Sequence, residues 1–193
     1  MILVDPDLDP HLTSGASPAK RSLSADPAQS ARKLRLPSAR TLSRFLGRAQ
    51  DAVRLRGRVT VLLTTDTAIR RLNRQFRGKN KATDVLSFPA SEAVLQEVAG
   101  DLAVSVPTAL RQARRQGHAL AVEVKVLILH GLLHLAGYDH ETDTGQMARR
   151  ERLLRTRLGL REGLIERAHA VASPSLAPSG SRPVKPAQSG AAR

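Results

Sequence analysis

The chain has 193 residues, of which 41% are hydrophobic and 2% aromatic, and its formal net charge at pH 7 is +14. This length suits one domain with a buried core and is short for two. The excess of lysine and arginine favours a polyanionic partner, either nucleic acid or an anionic membrane surface. Cysteine is absent, which excludes disulfides, thiolate metal sites and a cysteine nucleophile, and fits a reducing cytoplasm.

No segment has the pattern of a membrane-targeting or membrane-spanning sequence. Residues 1–12 are acidic and lack the charged and then apolar regions of a signal peptide. The longest uncharged apolar stretch, Val126–Tyr138, is too short to cross a bilayer. We therefore expect a soluble cytoplasmic protein with no membrane partner.

The two ends of the chain differ from its centre in composition. Residues 13–37 and 173–193 are rich in Ser, Ala and Pro and have no hydrophobic period. Such segments cannot bury enough apolar surface to offset their ordering entropy, which predicts that residues 1–37 are mostly disordered and residues 171–193 form a disordered tail. The formal charge is +1 on residues 1–37 and +3 on 171–193, which leaves +10 on residues 38–170, the predicted domain.

Helices and strands are mixed along residues 38–158, and an edge strand is expected at residues 1–4. The predicted helices cover residues 38–53 with Ser38 as cap, 66–75 with Asp66 as cap, 107–117 and 142–158, and the predicted strands cover 59–63, 85–88 and 101–106. Residues 119–136 fit either structure, because they begin with strand-like alternation but have the length of a buried helix. This pattern indicates an α+β fold with a small sheet on one side of several helices.

Three of the six histidines, His130, His134 and His140, fall within eleven residues. Two histidines four residues apart lie on one face of a helix and can reach one ion, whereas on a strand they would be roughly 13 Å apart. A shared metal therefore requires residues 119–136 to be helical, with Gly137 ending the helix and turning the chain toward His140. Three imidazoles with an open fourth position are typical of a catalytic zinc site. The remaining histidines, His11, His118 and His169, are predicted to be exposed to solvent.

The spacing matches the extended zincin pattern H-E-x-x-H-x-x-G-x-x-H, except that Gly131 replaces the glutamate. Loss of this general base, worth typically 10²–10⁴-fold, argues against a metalloprotease. Phosphodiester cleavage depends on it less, because zinc lowers the pKa of a bound water to about 7 and can neutralise phosphate oxygens. Asp139 could serve as a base, but we interpret it as a residue that caps or orients the turn. A basic domain with zinc and without the glutamate favours a nuclease.

A basic loop is predicted from Phe76 to Asp84, and its cations Arg77, Lys79 and Lys81 could hold phosphate. The loop precedes a short strand of the kind that commonly lines a zincin cleft. A second basic face on the next helix, made of Arg111, Arg114 and Arg115, is interpreted as an ordinary charged surface. With three Phe and one Tyr in the chain, stacking platforms for bases are scarce, so RNA binding should be mainly electrostatic and depend strongly on salt.

Two motifs resemble those of the YbeY endoribonucleases, which are bacterial rRNA maturation factors. The first runs from Leu72 to Lys79 and continues from Thr83 to Pro89, and the second runs from His130 to Glu141. Gly100-Asp101-Leu102 and the last helix, with Met147 and Glu151, also fit. The resemblance covers roughly residues 38–165. Asn80 and Ala82 depart from it, since an acid and a proline are common there, and we expect these changes to alter only the stiffness of the loop.

The resemblance implies a zinc-dependent, single-strand-specific endoribonuclease that acts in small-subunit rRNA 3′-end maturation and ribosome quality control. Its partners would be single-stranded RNA, ribosomal RNA and the small ribosomal subunit. It implies one Zn²⁺ per chain held by His130, His134 and His140, and a functionally required arginine at Arg77. We add Lys79 and Lys81 as RNA-binding residues. The implied fold is α+β, with a mixed sheet and a zincin-like metal-binding helix.

A second hypothesis is a non-catalytic ribosome-assembly factor that binds rRNA through its basic face. In that case the zinc would be structural, with a water permanently filling its fourth position.

Overall fold

The computed structural model describes residues 1–9, 12, 35–91 and 97–160. The predicted disorder of residues 13–37 and 171–193 falls outside these residues, apart from 35–37, as do His11 and His169. The described elements are β1 (Ile2–Val4), α1 (Ala39–Val53), β2 (Arg58–Thr64), α2 (Asp66–Arg77), β3 (Val85–Pro89), β4 (Val98–Ser105), α3 (Val106–Arg115), α4 (Leu120–Leu135) and α5 (Gln146–Arg157). The predicted α+β class is confirmed.

The four described strands form one mixed sheet in the order β1-β2-β4-β3. The pairs β1–β2 and β2–β4 are parallel, and β3 runs antiparallel to β4 with Leu86 opposite Ala103. β1 and β3 are therefore the edges. The chain stays with the fold beyond β1, because the N–H of Asp5 donates to the carbonyl of Leu63 at 2.9 Å and Leu8 is buried in the core.

The sheet has a different apolar cluster on each face. Alternate residues of β2 and β4, including Val61, Leu102 and Val104, pack with α1 and α4 in the main core. Ala103 points the other way and packs with Leu86 of β3 and Ile69 of α2. The expectation that the helices lie on one side of the sheet is therefore wrong for α2, which covers the opposite face beside the edge strand β3.

Helix α4 is the centre of the core and is buried on nearly every side. Its eleven buried residues include apolar side chains from Leu120 to Leu133, together with Glu123 and His130. A helix that is apolar all round has no amphipathic period, which explains why periodicity alone could not assign it. Taken singly, no described helix is long and apolar enough to cross a membrane; α3 and α4 pass such a test only as a pair, bent by 114°.

His118, just before α4, is not exposed as predicted. Its side chain is 10% exposed, and its Nε2 makes a short hydrogen bond with a carboxylate oxygen of Glu123, which is fully buried. The turn into α4 folds the imidazole back over the first turn of the helix. A buried carboxylate needs such a partner, so a tertiary contact overrides the exposure expected after Gly117.

Two predicted helix starts are shifted by side-chain hydrogen bonds. The cap of α2 is Thr65, whose hydroxyl accepts from the N–H of Ala68, rather than Asp66. Although burial opposes it, hydrogen bonds from Ser105, Thr108 and Arg111 lower the pKa of the Asp66 carboxyl. Helix α5 begins at Gln146 rather than Thr142, because the Asp143 carboxylate accepts from three successive backbone N–H groups, those of Gly145, Gln146 and Met147.

Helix α4 lies close to the sheet at Gly131. A Cβ atom there would lie 2.7 Å from Cδ2 of Leu102 and 3.3 Å from the hydroxyl of Ser87. Leu102 is 1% exposed and belongs to the main core, so a side chain at position 131 would have to displace a packed core residue. The position that holds glutamate in the zincin pattern is therefore pressed against the sheet.

We expect Gly131→Glu, which completes the zincin pattern, to destabilise the protein rather than create a protease. The new side chain would displace Leu102 and bury a carboxylate, which together cost about 3 kcal/mol or more of the free energy of unfolding. Urea unfolding measures this loss. Gly47→Glu is the matched control, because a Cβ on Gly47 of α1 would have no described atom within 4 Å apart from its chain neighbours and the local backbone of its own helix. That variant should be neutral or slightly stabilised by its higher helix propensity. Equal stability of Gly131→Glu and wild type would contradict the close packing.

Candidate metal centre and basic loop

The structure brings His130, His134 and His140 together at the end of α4. One nitrogen of each ring lies within 4.8 Å of the others, in a group that could hold a metal ion. The Nε2 atoms of His130 and His134 are 3.2 Å apart, because residues four apart on a helix stack one above the other. His130 is buried, His134 is half-buried and His140 is exposed. The group is therefore open to solvent on the His140 side.

A Schellman turn carries the chain from His134 back to His140. The N–H of Gly137 donates to the carbonyl of His134, and the N–H of Tyr138 donates to the carbonyl of Leu133, both at 3.0 Å. This pattern needs a left-handed residue after the helix, and Gly137 has φ +87°. The predicted role of Gly137 is thus confirmed.

Asp139 builds the turn that presents His140. One carboxylate oxygen accepts from the N–H of Glu141 at 3.0 Å, and the other accepts from the hydroxyl of Thr142 at 3.1 Å. The bond from Glu141 is the main cause that lowers the pKa of Asp139. A carboxylate with both oxygens engaged and a lowered pKa is a weak base, which favours the turn-orienting interpretation over a catalytic one.

A buried glutamate from α5 holds the first histidine. Nδ1 of His130 lies 3.1 Å from an Oε atom of Glu151, and the two side chains are 7% and 1% exposed. When Nδ1 donates to this carboxylate, the lone pair of Nε2 faces His134, which is the arrangement of most histidine metal ligands. Glu151 is 21 residues from His130 in sequence, so local spacing could not identify the contact; only the family motif included this residue.

The donor set fits a zinc ion. Burial, together with the neighbouring His130 and His140, lowers the pKa of His134 to about 4, so its imidazole is neutral at neutral pH, as a metal ligand must be. Two nitrogens bound to one tetrahedral zinc are about 3.3 Å apart, and the Nε2 atoms of His130 and His134 are separated by 3.2 Å. Three imidazoles also match the three protein ligands of a catalytic zinc site.

The basic loop begins two residues later than predicted. Phe76 and Arg77 complete the last turn of α2, which ends at Gly78 with φ +67°. Arg77, Lys79 and Lys81 are all exposed. Arg77 therefore projects from a helix end rather than from the loop itself, where its charge also complements the helix dipole.

Hydrogen bonds hold the basic loop at both ends, and none of these bonds was predicted. The Asn73 amide donates to the carbonyl of Lys81 at 2.7 Å, and its backbone carbonyl accepts from the N–H of Lys79. At the other end the Asp84 carboxylate accepts from Gln112 at 2.8 Å and from the N–H of Val85. An asparagine four residues before the helix end is an ordinary surface residue by sequence, so only its 5% exposure marks it as structural.

In the described part of the chain, no hydrogen bond or ion pair joins Arg77, Lys79 or Lys81 to the three histidines or to an acid. The link between the two groups is strand β3, which follows the loop and whose Ser87 hydroxyl donates to the carbonyl of Gly131 at 3.3 Å. In the second basic face, made of Arg111, Arg114 and Arg115, Arg111 forms an ion pair with Asp66 at 2.8 Å. The described contacts therefore join the basic loop to the histidine-bearing helix through β3, and not through a direct bond between the cations and the imidazoles.

Comparison with known proteins gives one consistent family. A family model described as Endoribonuclease YbeY matches residues 28–159. A protein of Koribacter versatilis named Endoribonuclease YbeY is 51% identical over 136 residues, which cover 70% of this chain and 88% of that protein. One of the same name from Solibacter usitatus is 48% identical, with coverage of 67% and 85%.

Two more distant proteins also match. The chloroplastic Endoribonuclease YBEY of Arabidopsis thaliana is 38% identical over 157 residues, covering 72% of this chain and 27% of that protein. A solution structure of a Thermotoga maritima protein is 27% identical, covers 76% of this chain and 95% of that one, and has a TM-score of 0.46. The residues that the family model matches include β2, β3 and β4, the basic loop and all three histidines. On these matches the chain belongs to the YbeY family of endoribonucleases.

Proposed function

We propose that this protein is a zinc-dependent endoribonuclease that cleaves single-stranded RNA. The observation that carries the proposal is that three imidazoles lie together in a domain of an endoribonuclease family. We further propose that it acts in the cytoplasm on ribosomal RNA of the small subunit, in 3′-end maturation and ribosome quality control, as the sequence resemblance implies. The formal charge of +10 on residues 38–170, against +14 for the chain, supports a nucleic acid partner.

One zinc ion per chain would be held by His130, His134 and His140. Bound there, zinc would supply a Lewis acid that lowers the pKa of a water to about 7 and neutralises phosphate oxygens. Glu151 acts through His130: it fixes the imidazole ring and its tautomer by accepting from Nδ1. The open side at His140 leaves room for a phosphodiester to enter.

Arg77 is the proposed catalytic cation of the chain. Its exposed guanidinium can donate two parallel hydrogen bonds to one phosphate and stabilise the negative charge that grows there in the transition state. Lys79 and Lys81 would attract the neighbouring phosphates and contribute to affinity without sequence preference. Asn73 makes hydrogen bonds with the backbone of Lys79 and Lys81 and so holds the loop against α2. The two lysines therefore project from a loop whose backbone is held in place.

The packing of Gly131 supports a nuclease over a protease. Because the position of the missing glutamate faces Leu102 and Ser87, the chain cannot direct a general base toward the histidines from that site. Peptide hydrolysis needs this base, whereas phosphodiester cleavage can rely on charge neutralisation.

We expect His134→Ala to lose zinc and part of its stability. Binding to the folded state alone stabilises a protein by about 2.7 kcal/mol at a ligand concentration of 100 Kd, which is a melting temperature shift of about 5–10 °C at this size. Metal analysis should give one zinc per wild-type chain and none for the variant, and a chelator should lower the melting temperature of wild type only. His118→Gln is the control, because His118 contacts Glu123 and its loss should leave the metal content intact. Equal melting of wild type with and without chelator would contradict the zinc site.

Glu151→Gln should weaken zinc binding about 10- to 100-fold, which is typical of removing the acid behind a ligating histidine. Competition against a chromophoric chelator measures the affinity directly and does not depend on RNA cleavage. Glu141→Gln is the matched control, since Glu141 is an exposed acid beside His140. If both variants bind zinc like wild type, Glu151 does not position His130.

Arg77→Ala should keep its zinc and its melting temperature but cleave single-stranded RNA about 10²–10³-fold more slowly, the usual loss for one donor to a transition-state charge. The substrate is a single-stranded fragment of a small-subunit rRNA 3′ end. Arg157→Ala provides a matched control, because Arg157 is an exposed arginine in the last turn of another helix. Full activity of zinc-loaded Arg77→Ala would remove Arg77 from the mechanism. Absence of cleavage by wild type would instead favour the non-catalytic assembly factor.

A further inference from the structure

An exposed phenylalanine stands at the end of α2, next to the proposed catalytic arginine. Phe76 is 59% exposed, although the chain has only three phenylalanines and most large apolar side chains of the described residues are buried. Exposure of one apolar residue is ordinary by itself, so what distinguishes Phe76 is the set of residues around its ring.

The Phe76 ring is held in place by a second phenylalanine. Its centroid lies 5.1 Å from that of Phe88 in β3, and the rings are tilted by 69° in an edge-to-face arrangement. Phe88 is half-buried and packs against the small cluster of Ile69, Leu86 and Ala103. The fold therefore presents the Phe76 ring from a fixed support, with little freedom left to lose when a partner binds.

The surroundings of this ring are cationic. Arg74 and Arg77 occupy the last turn of α2, Lys79 follows it, and all three are exposed. None of these cations is in an ion pair within the described ranges, while Asp84 at the end of the loop is bonded to Gln112 and Thr83. An exposed aromatic ring bordered by free cations suits single-stranded nucleic acid, whose bases stack on the ring while its phosphates meet the cations.

Strand β3, which carries Phe88, also contacts the helix that bears His130 and His134. Ser87 of β3 bonds the carbonyl of Gly131, the residue after His130, and the next residue of the same strand is Phe88. Because successive side chains of a strand point to opposite faces, Ser87 faces α4 while Phe88 and Phe76 lie on the α2 side. A strand of RNA that crosses the β3 edge would pass from the ring pair to the histidines.

We propose that Phe76, supported by Phe88, stacks on an unpaired base of the RNA beside the scissile phosphate. The inference rests on the proposed endoribonuclease function and gives that function a physical source of single-strand preference. In a duplex each base is already stacked and paired, and the sequence-bearing edges of A-form RNA lie in a groove too narrow for side chains. Only an unpaired base can turn onto the ring.

The test compares binding of full-length, zinc-loaded protein to a fluorescein-labelled 2′-O-methyl RNA, as a single strand and as a duplex, by fluorescence anisotropy. Phe76→Leu should weaken single-strand binding about 5- to 150-fold, the loss expected for one stacked base, with little change for the duplex. Phe76→Tyr keeps an aromatic face and should bind within about twofold of wild type. Leu153→Ala is the control, because Leu153 is another exposed apolar residue, on α5 and 66% exposed.

Salt dependence separates stacking from charge. The slope of log K against log salt should stay the same for Phe76→Leu, since no ion pair is lost, and should fall by about 0.7 for Arg77→Ala. Melting temperatures of all variants are measured, and recovery of binding in Phe76→Tyr distinguishes stacking from a folding defect.

Three outcomes would overturn the stacking role: wild-type affinity of Phe76→Leu for the single strand, an equal loss for single strand and duplex, or a loss that Phe76→Tyr does not recover. If wild type still cleaves unmodified RNA in those cases, the endoribonuclease function stands and only the role of Phe76 fails. If wild type cleaves no RNA, the proposed function fails, whatever the binding results show.

Discussion

The candidate metal centre depends on the close contact between α4 and the sheet at Gly131. A helix that lies this near to Leu102 and Ser87 cannot rotate or move outward without losing core packing. Its orientation then fixes where residues 130 and 134 project, and the i, i+4 spacing brings their Nε2 atoms to 3.2 Å. The same glycine removes the acid that a zincin protease would use. One packing constraint thus orients the ligands and limits the chemistry.

A buried histidine–carboxylate pair occurs near each end of α4, and the two pairs have different uses. At the start of the helix, His118 covers the fully buried Glu123, so the pair closes the turn from α3. Near the other end, Glu151 bonds Nδ1 of His130, while Nε2 of the same ring faces His134. The first pair satisfies a carboxylate inside the core, which would otherwise be costly. In the second pair, the carboxylate orients the His130 imidazole toward His134. The same two side-chain types therefore stabilise the core in one place and position a ring in the other.

Local sequence signals were sufficient wherever a single segment determines its own structure. The cap at Ser38, the turn at Gly137 and the helical nature of α4 could all be predicted, the last because two histidines can share a metal only on a helix. Element boundaries were less accurate where a distant or competing hydrogen bond decides them. The Asp66 carboxylate accepts hydrogen bonds from Ser105 and Thr108 and does not cap α2. The Asp143 carboxylate accepts from the N–H of Met147, and α5 starts later than predicted.

Contacts between distant segments could not be predicted from one sequence. Glu151 lies 21 residues from His130. The helical period places it on the buried face of α5 with Met147 and Leu154, but the period does not give its partner. The burial of His118 and the position of α2 on the opposite face of the sheet follow from how the elements pack, not from their own patterns. The contact of Phe76 with Phe88 is also one that the sequence does not predict. The composition shows that aromatic residues are few, but it does not show which of them meet.

The proposed phosphate-binding cations and the histidines stand on different elements, the end of α2 with its loop and the end of α4, and this arrangement bears on how an RNA substrate would lie. Phosphoryl transfer is promoted by positive charge placed around the reacting phosphate, yet the described contacts hold the imidazoles and the basic loop on separate elements. The described connection runs through Ser87 and Gly131, so we expect a substrate that engages both clusters to lie along or across β3. Among the described strands none pairs with the outer side of β3, whereas a further strand there would cover it. In the described order β1-β2-β4-β3, the short antiparallel edge strand is thus the element that would bring the two clusters to one phosphodiester under the proposed function.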